Sequence, residues 1–267
     1  MTELPSTRLT MPRRLVTHES VACGVRIVPE ETAVAMTFGR TTYAVMMATP
    51  ADIEDFAMGF SLTERIIEDI AEITELEIVS LPQGIEARMS LSSNRDAQLF
   101  SRRRRLTGPA GCGLCGIESL EAAVAPPLTL TSLGRVSKQA IFRALGCLRE
   151  KQKLNAETHA VHAAGFWLDD EFLAVREDVG RHNALDKLAG ALARTKTAAS
   201  SGVLVLSSRL SIELVQKASS IGCPIIVAVS APTAFALRAA EECGMTVAAI
   251  ARSDSLEVFT HADRIEV

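Results

Sequence analysis

The chain has 267 residues, 48% of them apolar, and a formal charge of −4 at neutral pH. That is ample for a large core in one or two domains, and it offers no global basic character to hold nucleic acid. No apolar run of about eighteen residues suggests a membrane span, and "MTELPSTRLTMPRRLVTHES" at the N-terminus lacks the roughly 7–15 apolar residues of a secretory leader.

Residues 1–20 are polar and basic in patches, show no period, and are expected to be a flexible N-terminus. Residues 21–100 read as a small α+β domain. Within it, "ETAVAMTFGRTTYAVMMAT" is a hairpin around Gly39 and Arg40. The next segment predicts a helix with Thr49 as N-cap, Pro50 at its first position, and Ile53, Phe56, Ala57 and Phe60 on one face. "ITELEIVSL" and "GIEARMSLS" predict two more strands around Pro82, Gln83 and Gly84.

Residues 101–120 have neither period. Arg102 to Arg105 lead into "GPAGCGLCGIESL", and the segment is expected to be a mobile loop carrying Cys112 and Cys115. Residues 121–267 predict an α/β domain. Ser137 is placed to cap a helix with Ile141, Leu145 and Leu148 on its apolar stripe, and "AAGFWLDDEFLAVRED" predicts two strands around an acidic turn. "RHNALDKLAGALART" is helical in period. "GVLVLSS", "CPIIVAVS" and "MTVAAIARS" are short continuous apolar runs separated by two helical segments that end in glycine. Strands buried on both faces and alternating with helices imply a parallel βαβαβ core with right-handed crossovers.

In such a sheet, ligands bind beyond the carboxyl ends of the strands. Those ends read "SSRLS" (207–211), "SAPT" (230–233) and "ARSD" (251–254). Ser208, Arg209, Ser230, Thr233, Arg252 and Ser253 thus collect at one edge, two of the turns feeding helix N-termini. Hydroxyls, arginines and helix N–H groups together suit phosphate or pyrophosphate, although serine and threonine at such turns are also ordinary helix caps. A second cluster, Glu177, Asp178, Arg181, His182, Asn183, Asp186 and Lys187, crowds the start of a helix after a strand. It suits either a site or an ion-paired, solvated helix start, and the solvated start is expected for Asp186 and Lys187. His162 and His182 lie beside apolar segments. There is no P-loop and no dinucleotide fingerprint.

The six cysteines are Cys23, Cys112, Cys115, Cys147, Cys223 and Cys243. Mostly isolated, they do not form the framework of a secreted mini-domain, and a cytoplasmic protein with reduced thiols is expected. A structural zinc site needs four ligands, and Cys112 and Cys115 have no second pair. A redox pair and a persulfide carrier both fit the spacing. The arginines beside the loop favour thiolate, the nucleophilic form.

Taken in order, "CGLCG", "HAAGF", "REDVGRHNALDKL", "SSRLSIELVQKA", "PIIVAVSAPTAFALRAAEECGMTV" and "VFTHADRI" resemble the formate dehydrogenase accessory sulfurtransferases, from about the first hairpin to the C-terminus. The resemblance implies a sulfurtransferase that takes persulfide sulfur from a cysteine desulfurase. It implies transfer to the molybdenum (or tungsten) bis-guanine-dinucleotide cofactor of formate dehydrogenase. That cofactor would be a bound substrate, GDP or GMP would mimic its nucleotide part, and no structural metal is implied. Cys112 would carry the persulfide, and Cys115 would assist or accept it in relay. The nucleotide-binding stretch would be Ile250, Ala251, Arg252, Ser253, Asp254 and Ser255, joined at the same edge by Ser208, Arg209, Ser230, Thr233, His162 and Arg181. The implied fold is a cytidine-deaminase-like three-layer C-terminal domain beside the smaller α+β domain, in a homodimer. Here Gly-Pro-Ala-Gly precedes Cys112 in place of a hydroxyl-rich run, and "RSDS" lacks the glycine often found in the binding stretch. The H-x-E and P-C-x-x-C signatures of zinc deaminases are missing, which argues against deamination. The alternative function is a non-catalytic chaperone that binds the cofactor; a regulatory protein holding metal through the CxxC is a third.

Overall fold

The computed structural model describes residues 3–95, 125–132 and 134–266. Among the described residues it is a mixed α/β structure with four sheets. The chain opens with an antiparallel ribbon of β1 (Arg8–Val16) and β2 (Val21–Pro29), paired from Arg8 with Pro29 to Val16 with Val21. Where no period was expected, β1 is therefore a nine-residue strand. Leu9, Met11 and Leu15 do alternate, but Arg13 and Pro12 break the apolar pattern. Pro12 is tolerated because β1 is an edge strand and needs no ladder donor there.

The small lobe is a sheet of order β4-β3-β6-β5, built from β3 (Thr32–Phe38), β4 (Thr41–Ala48), β5 (Ile73–Leu81) and β6 (Gly84–Leu91). Alternation turns Val34, Met36 and Phe38 of β3 and Ile85, Ala87 and Met89 of β6 to one face. There they bury Ile53, Phe56, Ala57 and Phe60 of α1 (Ile53–Thr63), the face the sequence marked out. The start of α1 differs from expectation. Asp52, at φ 52°, is the N-cap residue, with no side-chain cap bond. Thr49 is instead buried against the other lobe, where its hydroxyl accepts from the Val179 amide at 3.1 Å.

The second lobe has three layers. Its sheet, in order β13-β12-β11-β10-β8-β9, comprises β8 (His162–Leu168), β9 (Glu171–Asp178), β10 (Val203–Leu206), β11 (Ile225–Ala228), β12 (Thr246–Ala249) and β13 (Glu257–Thr260). A small parallel pair, β7 (Val136–Ser137) with β14 (Ile265–Glu266), lies outside it. Strands β10, β11 and β12 are parallel, and all twelve of their residues are buried. One face packs on α4 (Arg181–Arg194), α5 (Ile212–Ser220) and α6 (Ala234–Cys243) through Leu185, Leu188, Leu214, Val215 and Ala240. The other packs on α2 (Lys138–Lys151) through Ile141, Ala144, Leu145 and Leu148. Ser137 caps α2, accepting from the Ala140 amide at 3.2 Å. The short α3 (Lys153–Thr158) precedes β8.

The lobes meet helix to helix. Gly59 of α1 and Gly190 of α4 let the two backbones touch. A Cβ on Gly59 would overlap the Asp186 carbonyl, and one on Gly190 the Asp55 carbonyl. No other residue type permits that approach.

Candidate ligand-binding edge of the sheet

The parallel strands β10, β11 and β12 end at Leu206, Ala228 and Ala249. Strand β8 runs antiparallel to β10, so its first residue, His162, lies at the same edge. His162 pairs with Asp178, the last residue of β9, and α4 starts three residues later. Turn bonds stitch the edge together. Ser207 N donates to Ala163 O at 3.0 Å, Leu210 N to Ala231 O at 3.3 Å, and Ile250 N to Ser230 O at 3.2 Å. The structure thus places His162, Arg181, Ser208, Arg209, Ser230, Thr233 and the 250–255 stretch along one edge.

Several of these groups already have partners. The Thr233 hydroxyl caps α6, accepting from Ala236 N at 3.2 Å. Buried Ser208 donates to Arg209 O at 3.0 Å. Arg252 donates from Nη1 to Val229 O at 2.6 Å and to Ala251 O at 3.0 Å, and Ser255 donates to Asp254 Oδ1 at 3.1 Å. Arg209 and Ser253 are exposed. Ile250 has φ 53°, a left-handed backbone that a β-branched side chain rarely adopts and that costs about 1–3 kcal/mol. Backbone strain held in place at a strand end is a mark of functional turns. Burial and the nearby Arg181 lower the basicity of His162, and Asp178 opposes them.

Four residues at the facing starts of α4 and α5 stand apart. Arg181 Nε, His182 Nε2, Ser211 Oγ and Glu213 Oε2 are buried without a hydrogen-bond partner, and no other buried side-chain atom among the described residues is so left. His182 Nε2 and Glu213 Oε2 are 3.9 Å apart, too far for a hydrogen bond. Burial, with Arg181 and Lys217 adding to it, pulls His182 down to about 4, so the ring is neutral at pH 7. Burial alone would raise Glu213, but the Ser211 hydroxyl, its own amide, His182 and Arg181 leave it lowered and ionised. Ser211 is thus near that carboxylate without completing a hydrogen bond to it. A buried polar atom left unpartnered costs about 1–3 kcal/mol in a dry interior, which a ligand group meeting it would recover. Of these residues the sequence singled out Arg181 and His182. Ser211 and Glu213 lie within the quoted "SSRLSIELVQKA", but their facing of α4 is a tertiary fact.

The helix carrying Arg181 and His182 is held by buried ion pairs. Asp178 accepts from Thr49 N at 3.0 Å, Gly180 N at 2.7 Å, Asn183 Nδ2 at 2.9 Å and Lys187 Nζ at 2.6 Å. Asp186 accepts from Thr63 Oγ1 at 2.6 Å and Lys217 Nζ at 3.0 Å, and Lys217 also reaches Glu64 at 2.7 Å. The expected solvated start for Asp186 and Lys187 is thereby corrected. Both are buried: α1 covers this face of α4, Thr63 and Lys217 partner Asp186, and Asp178 and the Thr49 carbonyl partner Lys187.

Cys112 and Cys115 lie outside the described residues. Of the described thiols, Cys23 is exposed, Cys147 half-buried, and Cys223 and Cys243 buried. Burial pushes Cys223 up to about 11, which makes it a poor nucleophile at neutral pH. Among the described residues no three metal-ligating side chains converge. Two clefts lie elsewhere. One, of about 520 Å³, sits at the opposite edge beside Val203 and Ile225, the first residues of β10 and β11. The other, of about 460 Å³, lies beside β9 and Arg8. Neither has the converging helix starts or unpartnered groups of the strand-end edge.

Helix starts gathered over the carboxyl ends of parallel strands define an α/β protein, and that sheet edge is where such folds hold ligands. The chain belongs to the FdhD/NarQ family, whose sequence model matches residues 29–266. A sulfur carrier protein FdhD from Agrobacterium fabrum is 50% identical over 246 residues, 91% of each chain. A Brucella abortus protein of the same name is 50% identical over 242 residues, 90% of each chain. One from Xanthomonas campestris is 43% identical over 243 residues, 90% of this chain and 86% of that one. A crystal structure named as a formate dehydrogenase accessory protein from Desulfotalea psychrophila superposes with a TM-score of 0.75. It covers 97% of this chain and 100% of its own at 23% identity, and so speaks for the fold alone. Among the described residues, no helix is long and apolar enough to cross a membrane.

Proposed function

We propose that this protein is a sulfur carrier serving formate dehydrogenase, acting as a sulfurtransferase through a persulfide on Cys112. The 50% identity to a curated sulfur carrier over nine-tenths of the chain carries this proposal. The Cys112 thiolate attacks the outer sulfur of a cysteine desulfurase persulfide. A new S–S bond forms on Cys112, and the desulfurase cysteine leaves as thiolate. Release as sulfide needs two electrons. Attack of the Cys115 thiolate on the inner Cys112 sulfur supplies them, expelling hydrosulfide and leaving a Cys112–Cys115 disulfide for a cellular thiol to reduce.

The acceptor is the molybdenum (or tungsten) bis-guanine-dinucleotide cofactor, bound as substrate at the strand-end edge. Arg209 and Arg252 offer positive charge for its phosphates, Arg181 offers a further donor to the bound cofactor, and the helix starts offer N–H groups. The 250–255 stretch and Ser208, Ser230, Thr233 and His162 complete the proposed cradle. Past the cysteines, the described chain resumes at Ala125, whose carbonyl accepts from Gln216 Nε2 of α5 at 2.7 Å. That tie, to the helix whose start lies at the edge, supports the reading. The proposal extends to a cytoplasmic homodimer and to a cytidine-deaminase-like layout for the three-layer lobe, without deaminase chemistry.

The test is intact mass after incubation with desulfurase and cysteine. A gain of about one sulfur, reversed by reductant and absent in Cys112→Ala, is expected. GDP should raise the melting temperature of both proteins, since binding the folded state stabilises it. A Cys112→Ala protein that still matures formate dehydrogenase would replace the carrier with a cofactor-binding chaperone. Stoichiometric metal on the purified protein would favour a regulatory metal site.

A further inference from the structure

The four unpartnered atoms define a specific chemistry. Arg181 offers only donors, Glu213 only acceptors, and the neutral His182 ring and Ser211 hydroxyl offer one of each. A simple anion would meet the Glu213 carboxylate, and a simple cation the Arg181 guanidinium. A metal ion would find two ligating side chains beside an arginine. What fits is a neutral, planar group with donors next to an acceptor on one edge.

We infer that Glu213, with Arg181 and His182, reads a 2-amino-4-oxopyrimidine ring, its carboxylate accepting from the ring N–H and the 2-amino group while Arg181 or His182 donates to the 4-oxo oxygen. Guanine and pterin share this edge. The assignment rests on the cofactor binding proposed above and deepens it by naming the residue that reads the ring. Three features support it. Glu213 is held ionised, and its buried Oε2 has no partner. His182 Nε2 faces it at 3.9 Å, leaving the facing groups unsatisfied by each other. Arg181 and His182 ride on a helix anchored by the Asp178–Lys187 and Asp186–Lys217 pairs, so their positions are set before any ligand arrives.

The experiment measures binding to the full-length protein by calorimetry. The probes are GDP, IDP (which lacks the 2-amino group), 6-hydroxymethylpterin and its 2-oxo analogue, each with wild type, Glu213→Gln and Glu213→Ala. Wild type should prefer GDP over IDP by about tenfold or more, the worth of a hydrogen bond to a charged group. Both variants should lose most of that preference, with IDP affinity nearly unchanged. If the pterin pair shows the Glu213-dependent preference instead, the pterin is the ring read. Binding of GDP and pterin with preferences that do not depend on Glu213 would overturn this inference and leave the cofactor cradle standing. Failure of both rings to bind wild type would overturn the cradle as well. Far-ultraviolet circular dichroism and melting curves confirm that each variant is folded.

Discussion

Lys187 Nζ lies 2.6 Å from Asp178 Oδ2, and both side chains are 0% exposed. The pair locks the last residue of β9 to the second turn of α4 and, through Thr49, to the small lobe. Its two halves are unequally supported. Without Lys187, Asp178 keeps three N–H donors, from Thr49, Gly180 and Asn183. Without the carboxylate, Lys187 keeps only the Thr49 carbonyl, at 2.8 Å. Asp178→Asn should therefore cost about 3–5 kcal/mol, the usual toll of a buried charge left without its partner, and Lys187→Met should cost less. Urea denaturation of both variants checks the order, and equal or reversed losses would refute it.

Gly59 and Gly190 predict a coupled effect. Alanine at either position must push α1 from α4, at about 1–3 kcal/mol or more. Once one alanine has opened the contact, the second meets less resistance, so the double variant should lose less than the sum. Exposed Gly146, in α2, has nothing within 4 Å of where a Cβ would lie, and Gly146→Ala should gain about 0.5–1 kcal/mol. Additive losses at 59 and 190 would show that the two contacts are independent.

The parallel core was legible because its signals are local: four-residue apolar runs at 203–206, 225–228 and 246–249, with helices ending in Gly222 and Gly244 between them. The Ser137 cap was legible for the same reason. What escaped depended on distant chain. Asp186 and Lys187 look like solvated charges until α1, more than a hundred residues earlier, covers them. Thr49 resembles a helix cap until Asp178, at the end of β9, and the Val179 amide claim it. Glu213 resembles an ordinary first-turn acid, and only the meeting of α4 with α5 leaves its oxygen unpartnered. The strand-end edge was readable as an edge, but which of its hydroxyls were already engaged was not, since Thr233 and Ser208 bond to their own backbone neighbourhood.

Ile250 supplies a prediction in which stability and binding part company. Its φ of 53° is one that glycine adopts freely. Ile250→Gly relieves that strain while losing a half-buried side chain and gaining unfolded-state freedom, so net stability should change by less than about 1 kcal/mol. The turn it holds leads into Ala251, whose amide bonds back to Ala228 O at 3.2 Å. A looser turn would hold the proposed nucleotide-binding stretch less firmly, and GDP affinity should fall several-fold. A variant that binds GDP as wild type does would remove Ile250 from the proposed cradle.

His182 predicts how stability responds to acid. Its ordinary value of 6.5 falls to about 4 in the folded protein, mainly through burial. Arg181 and Lys217 push it down, while Glu213 and Glu64 push it up. The unfolded chain thus binds a proton between about pH 6.5 and 4 that the folded chain refuses. The stability associated with neutral His182 is fully present above 6.5 and lost as pH falls towards 4. The side chain is 34% exposed, so solvent screening reduces the effect to about 1–2 kcal/mol. Other carboxylates titrate in the same range, so the informative quantity is the difference between wild type and His182→Asn. Urea midpoints measured from pH 7.5 to 4 should fall more steeply for wild type, with the two curves converging as the pH approaches 4. Parallel curves would mean that the ring charges without penalty in the folded state. In that event His182 could not be the neutral partner facing Glu213.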